Sequence, residues 1–198
     1  MTSRRREAIL RASATAIAER GVRGLRVSDI AQVAGVSPGL LYYHFKDRDG
    51  LLAAALTYIN DQARGYRNAA SGSGSSRTQL VDYILAEIQD TPEVLENSLA
   101  WNELRACAVY EQPLREPLAR TSEQWTRETA EAIRVAQAVG EVLDTVQPDQ
   151  VAAAITALTE GLSARWLSGE LSAERAREQL RAAVEVLIPA KGRSRTRS

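Results

Sequence analysis

The chain has 198 residues, 44% of them apolar, with 25 basic side chains against 25 acidic ones. That apolar share builds a packed core, which excludes a wholly disordered or fibrous chain. One cysteine, Cys107, and one histidine, His44, exclude an internal disulfide and the common zinc sites of three or four Cys/His ligands, so no metal and no cofactor is expected.

Helical spacing runs through nearly the whole chain and strand signals are almost absent, so an all-α fold of nine helices is expected. Ile9, Ala12, Ala16 and Ile17 share one face of a first helix that ends near Gly21. The apolar positions of this helix are broken by Arg11, Ser13 and Thr15, unlike a secretory leader. No later run approaches the roughly 18 apolar residues of a membrane span. A soluble cytoplasmic protein with no membrane partner is the expectation. A second helix is read at about Val27–Ala34 and a third at Pro38–Phe45. A long fourth helix, from Asp47 to about Arg67, carries the stripe Leu52, Ala55, Ile59, Ala63 and Tyr66. After the loop Ser71-Gly72-Ser73-Gly74-Ser75-Ser76, helices are read at about 77–90, 93–110, 114–140, 148–168 and 172–188. Their breaks fall at Pro92, Pro113, Pro148 and Gly169.

The chemistry concentrates between Val27 and Phe45. Two short helices are joined by Gly35-Val36-Ser37, with small Ala31 where they cross and Gly35 free to take positive φ at the turn. Ser37 is placed to cap the third helix and Pro38 stands at its first position, where its missing N–H costs nothing. This is the layout of a helix-turn-helix whose second helix enters the major groove. Pro38, Gly39 and Leu40 then approach base edges, while Tyr42, Tyr43 and His44 offer hydroxyls and an imidazole to phosphates or bases. Lys46 and Arg48 follow, and Asp47 is the expected cap of the fourth helix. Phe45 is assigned to the core. Charge agrees with a polyanion partner: residues 1–50 carry a net +4, residues 51–188 a net −8, and residues 189–198 a net +4.

The segment from about Arg5 to Leu56 resembles the DNA-binding domain of the TetR family of bacterial transcriptional regulators. The resemblance is densest in Asp29-Ile30-Ala31, Ala34-Gly35-Val36-Ser37, Gly39 and Leu41-Tyr42-Tyr43-His44-Phe45. It implies a homodimer that binds double-stranded operator DNA, with a C-terminal domain that binds an inducer and dimerises through its last two helices. Carried over by position, Ser28, Ser37, Pro38, Gly39, Tyr42, Tyr43, His44 and Arg48 fall where family members touch DNA. Arg26 stands where the family usually has a capping Thr; it cannot cap, but it can pair with a phosphate. Gly50 stands where an acidic residue often completes the cap of the fourth helix, so a weaker cap is expected there.

The division implied is a DNA-binding domain over 1–47, a ligand-binding and dimerisation domain over 48–188, and a basic flexible tail over 189–198. Helix 148–168 is apolar on more than one side: Val151, Ile155, Leu158, Leu162 and Trp166 form a stripe that Ala152, Ala153, Ala154, Ala157 and Gly161 widen. Together with 172–188 it is the expected dimer interface. Candidate contacts for an unknown small-molecule inducer are Tyr58, Gln62, Tyr66, Tyr83, Trp101, Arg105, Trp125 and Thr129, which combine aromatic walls with a few polar groups. Arg105 suits either an anionic inducer or a neighbouring acid such as Glu111. Glu87, Glu93, Glu96 and Glu103 have no histidine partner and read as solvated helix faces. The leading reading is a ligand-responsive repressor; a second is an activator or a ligand-independent regulator of the same fold. A third, an all-α enzyme or binding protein, is poorly provisioned for acid–base catalysis with its one histidine on the recognition helix.

Overall fold

The first helix, α1, spans Thr2–Arg20 and turns its apolar face, including Ile9, Leu10, Ala14 and Ile17, fully inward. The computed structural model describes residues 2–191. Within them α1 is followed by α2 (Val27–Val33), α3 (Pro38–Phe45), α4 (Arg48–Ala70), α5 (Ser76–Leu85), α6 (Pro92–Ala108), α7 (Gln112–Ala138), α8 (Pro148–Leu167) and α9 (Ala173–Leu187). The nine expected helices are all present among the described residues, with no strand; an isolated bridge joins Val142 and Ala190.

The chain divides into two compact units, one made of the chain up to Gly65 with Asp90–Ser122, the other of Tyr66–Gln89 with the chain from Glu123 onward. In the first unit, Ile9, Leu10, Ile30, Ala31, Leu41, Phe45 and Leu51 make one buried cluster that fixes α2 and α3 on α1. A second cluster joins Ile17, Val22, Leu52, Leu56 and Ile59 to Ala100, Leu104 and Leu114. Each buried Leu, Ile or Phe in these clusters contributes about 1.5–3 kcal/mol. Two carboxylates expected to be solvated fasten α6 to α1 and to the turn that follows it instead. Glu96 accepts the Thr15 hydroxyl at 2.8 Å, and Glu103 accepts the Val22 N–H at 2.9 Å.

The turn from α3 into α4 is tight. Lys46 takes φ 63°, its N–H bonded to the Tyr42 carbonyl at 2.8 Å. Asp47 caps α4 by accepting the Gly50 N–H at 2.8 Å. The structure also explains why residue 50 is not acidic: a Cβ there would lie 2.2 Å from the Phe45 carbonyl oxygen. Gly50→Ala is therefore expected to cost about 2–3 kcal/mol and to lower the melting temperature by roughly 4–12 °C. An unchanged melt would show that this turn relaxes freely.

In the second unit, α8 packs on α9 and α9 on α5. The Arg177 guanidinium donates to the carbonyls of Leu85 at 2.7 Å and Ile88 at 2.9 Å, closing the end of α5. Past α9 the chain is held as far as Lys191, whose N–H bonds Glu141 O at 2.9 Å and whose ammonium meets Asp144 at 2.7 Å. The rest of the basic tail, residues 192–198, lies outside the described residues.

Candidate nucleic-acid interface

The helix-turn-helix is built by two hydrogen bonds and a glycine. Gly35 has φ 65°, which lets its own N–H reach the Gln32 carbonyl at 3.2 Å and the next N–H, of Val36, reach Ala31 O at 2.9 Å. This paired closure ends α2 and aims the chain at α3. Ser37 Oγ then accepts the Leu40 N–H at 3.2 Å, and Pro38 opens the helix. Arg26, at the N-cap of α2, makes no side-chain cap. Leu41 and Phe45 are buried while Pro38, Gly39, Tyr42, Tyr43 and Lys46 are exposed, Tyr43 at 78%. Pro38, Gly39, Tyr42 and Tyr43 share one face of α3 at one-turn spacing, and Lys46 follows at its C-cap. A Cβ added at Gly39 meets only Ser37 Oγ, at 3.9 Å, so the helix presents nearly bare backbone there.

The remaining residues expected at DNA are placed unequally. Arg26, Ser28 and Ser37 are exposed and Leu40 and His44 half-buried, with the His44 ring edge-on to Tyr43 at 5.4 Å. Arg48 is half-buried and already engaged: it donates to Glu111 Oε2 and to the Val22 carbonyl, each at 3.1 Å. Glu111 thus serves Arg48, tying the start of α4 to the end of α6 and the turn after α1. Arg4, Arg5 and Arg6 on α1 are exposed cations that motif spacing overlooked, and Arg6 lies 5.3 Å above the Phe45 ring. The bare Arg4-Arg5-Arg6 run was the available signal.

The eight residues proposed for the inducer fall in both units. Tyr58 and Gln62 line a groove of about 300 Å³ in the first unit, with Arg6, Glu7 and Asp61. Burial raises the Tyr58 hydroxyl pKa, against the lowering effect of Arg11. Trp101 packs on the core of the same unit, and Arg105 borders a second groove of about 440 Å³ with Arg115 and Leu118. Tyr66, Tyr83, Trp125 and Thr129 belong to the second unit. There Tyr66 donates to Glu87 at 3.1 Å, Tyr83 donates to Glu128 at 3.3 Å, and Thr129 bonds the Trp125 carbonyl at 3.0 Å. Between them stands Arg67, which the sequence reading passed over. Its side chain is 2% exposed and ion-paired with Glu87, and its guanidinium carbon lies 5.3 Å from the ring centres of both Tyr83 and Trp125. Burial works against the Arg67 charge, but Glu87 outweighs it and the pKa is raised; burial likewise drives the Tyr83 hydroxyl far above its ordinary value.

Residues 9–55 match the family model of bacterial regulatory proteins of the tetR family, and residues 76–189 match that of the BetI-type transcriptional repressor C-terminal domain. The chain belongs to the TetR family. A crystal structure of a TetR-family transcriptional regulator from Rhodococcus sp. superposes with TM-score 0.90 at 62% identity, covering 94% of this chain and 99% of that one. A transcriptional regulator from Saccharomonospora viridis, solved in complex with choline, gives TM-score 0.77 at 25% identity over 94% of this chain and 98% of its own. The HTH-type transcriptional regulator BetI of Burkholderia mallei is 27% identical over 172 residues, 86% of this chain and 84% of that protein.

TetR regulators bind DNA and dimerise. The exposed positions of α3 carry two tyrosine hydroxyls and nearly bare backbone, with the Lys46 cation just past its end and no acid among these five residues. Among the described residues no helix is long and apolar enough to cross a membrane.

Proposed function

We propose that this protein is a ligand-responsive repressor that binds a palindromic operator as a homodimer and is released by a small-molecule inducer. The observation that carries the reading is the exposed stripe Pro38, Gly39, Tyr42 and Tyr43 on α3, with Lys46 just past its end. Pro38, Gly39 and Leu40, with Ser28, lie nearer the bases; Tyr42, Tyr43, His44, Ser37, Arg26 and Lys46 anchor phosphates, and Arg48 does so while shared with Glu111. Lys46 supports this reading, since a non-glycine residue at φ 63° carries strain of order 1 kcal/mol and places a cation at the edge of that face.

The working division is 1–47 for DNA and 48–188 for ligand binding and dimerisation. Dimerisation through α8 and α9 sets the two reading heads one DNA turn apart, roughly 34–36 Å, or a multiple of it. An inducer that favours another spacing needs a coupling of only about 1–3 kcal/mol to release the operator, and operator must weaken inducer binding by the same factor. The choline-bound relative and the BetI-type C-terminal match support the small-molecule half of the reading.

Selection of random DNA fragments by the purified protein tests the reading. An inverted repeat with two equal half-sites is expected; enrichment of single half-sites, or of no sequence, overturns it. Tyr43→Phe, which removes one exposed hydroxyl, is expected to weaken binding by about 1 kcal/mol, equally for operator and unrelated DNA. In a gel-shift titration, a loss confined to the operator would move Tyr43 from phosphate to base.

A further inference from the structure

Arg48 opens α4 just past Lys46, and its guanidinium is already divided between partners. Nη1 meets Glu111 Oε2 and Nη2 donates to the Val22 carbonyl, each at 3.1 Å, while Asp49 lies farther off at 4.0 Å. The two paired side chains keep 36% and 31% of their exposure, so water and solutes reach them. Glu111 sits at the joint between α6 and α7. Its N–H bonds the Cys107 carbonyl at 2.8 Å, and its own carbonyl accepts the Leu114 N–H at 3.1 Å. The turn that Arg48 touches has a second fastening, because Glu103 accepts the Val22 N–H at 2.9 Å and Val22 is fully buried. Arg48 can therefore loosen from Glu111 while the turn stays in place. A carboxylate and a phosphate present the same kind of paired oxygens to a guanidinium, so each is a substitute for the other. A partly exposed ion pair holds its partners by a factor of only about five or less, which a phosphate can match.

We propose that Glu111 competes with a DNA phosphate for Arg48: it holds the guanidinium in the free protein and loosens its hold when a backbone phosphate arrives. This inference rests on the reading above that places Arg48 at DNA. Glu111 keeps the arginine in position before DNA comes, but each binding event must weaken the ion pair, so Glu111 lowers DNA affinity. The effect is the same for every sequence, since a phosphate carries no base identity. The exchange also makes the α6–α7 joint differ between the two states, with Glu111 neutralised by Arg48 in the free protein and less so on DNA. By linkage, a change that strengthens the hold of this joint on Arg48 weakens DNA binding by the same factor as DNA weakens that hold.

The experiment is an anisotropy titration of two fluorescent duplexes, the selected operator and an unrelated sequence, with the full-length protein. Glu111→Gln is expected to bind both duplexes at least about threefold more tightly than the parent. Glu116→Gln removes an exposed charge that pairs with Arg120 instead, and screening should keep its effect below about 1.5-fold. In an Arg48→Gln background the gain from Glu111→Gln should vanish, which separates competition for Arg48 from simple loss of negative charge. Glu111→Asp keeps the charge but draws the carboxylate back from Arg48, and a gain of at least about twofold is expected. That variant decides the matter if Glu111→Gln does not fold. A residue that merely braced the fold would act in the opposite direction, with a lower melt and weaker binding. Glu111→Gln binding no more tightly than the parent, a gain that survives without Arg48, or an equal gain in Glu116→Gln overturns the proposal. A parent that binds neither duplex overturns the DNA-binding reading itself, a result distinct from a parent that binds and a variant that shows no gain.

Discussion

Ala157→Glu is expected to convert the protein to a monomer and to weaken operator binding at least about a hundredfold, the loss that follows when two linked half-sites become one. The argument rests on which residues α8 keeps for its own core. Ala152, Ile155, Thr159, Leu162 and Trp166 are buried within the protomer, whereas Ala153, Ala154, Ala157, Gly161 and Ala164 are exposed. A side chain at Gly161 would meet nothing within 4 Å. On α9, Val186 is 78% exposed, with Ala182 exposed one turn earlier. Small residues in such a row let a second helix approach closely, and a glutamate among them would bury a charge without a partner. The protomer core does not use Ala157, so the melt of the variant protomer should retain its cooperativity. Sedimentation at micromolar concentration should give about twice 21.6 kDa for the parent and about 21.6 kDa for the variant. A dimeric variant with full operator affinity would move the interface elsewhere. Leu162→Glu is not an equivalent test, because Leu162 is 4% exposed in the protomer and its loss damages the core first.

Arg67→Met is expected to destabilise the protein by about 3–5 kcal/mol, the usual cost of removing one member of a buried ion pair. The methionine fills much of the same volume against Tyr83 and Trp125, so the loss is mainly that of leaving the largely buried Glu87 without its cation. Adding Glu87→Gln and Glu128→Gln to Arg67→Met should recover most of it, since replacing a whole buried ionic group is often neutral. Denaturant unfolding of the three proteins measures both steps. A loss below about 1 kcal/mol in the single variant would show the pair to be hydrated.

The helix-turn-helix was legible because its determinants are local. Gly35, Ser37 and Pro38 act within four residues of where they stand, and the structure shows the turn, the cap and the helix start in those places. Helix ends set by distant partners were not legible. The fifth helix reads as 77–90 from periodicity but stops at Leu85, where Arg177 takes up carbonyls from a position about ninety residues away. The seventh begins at Gln112, earlier than its prolines suggest, because Pro113 is tolerated in a first turn whose N–H groups have no helical partner. Glu87, Glu96 and Glu103 look like solvated faces because their partners, Arg67, Thr15 and Val22, lie in other elements. The same limit applies to the candidate ligand residues. Spacing shows that Tyr58, Gln62 and Tyr66 share a helix face, yet Tyr66 belongs to a different unit from the other two. Arg67 carries no local mark at all, since its importance comes from burial among rings supplied by α5 and α7.

We propose that α3 reads DNA through a face stripped to backbone at Gly39. Gly39→Leu addresses it most directly, because the added Cβ meets only Ser37 Oγ, at 3.9 Å, and the side chain extends outward from an exposed position. The variant should melt like the parent and dimerise like it. In a gel-shift titration on the selected operator it should lose at least about a hundredfold in affinity, as a bulky side chain holds the helix out of the groove. A Gly39→Leu protein that binds the operator as tightly as the parent would contradict the account.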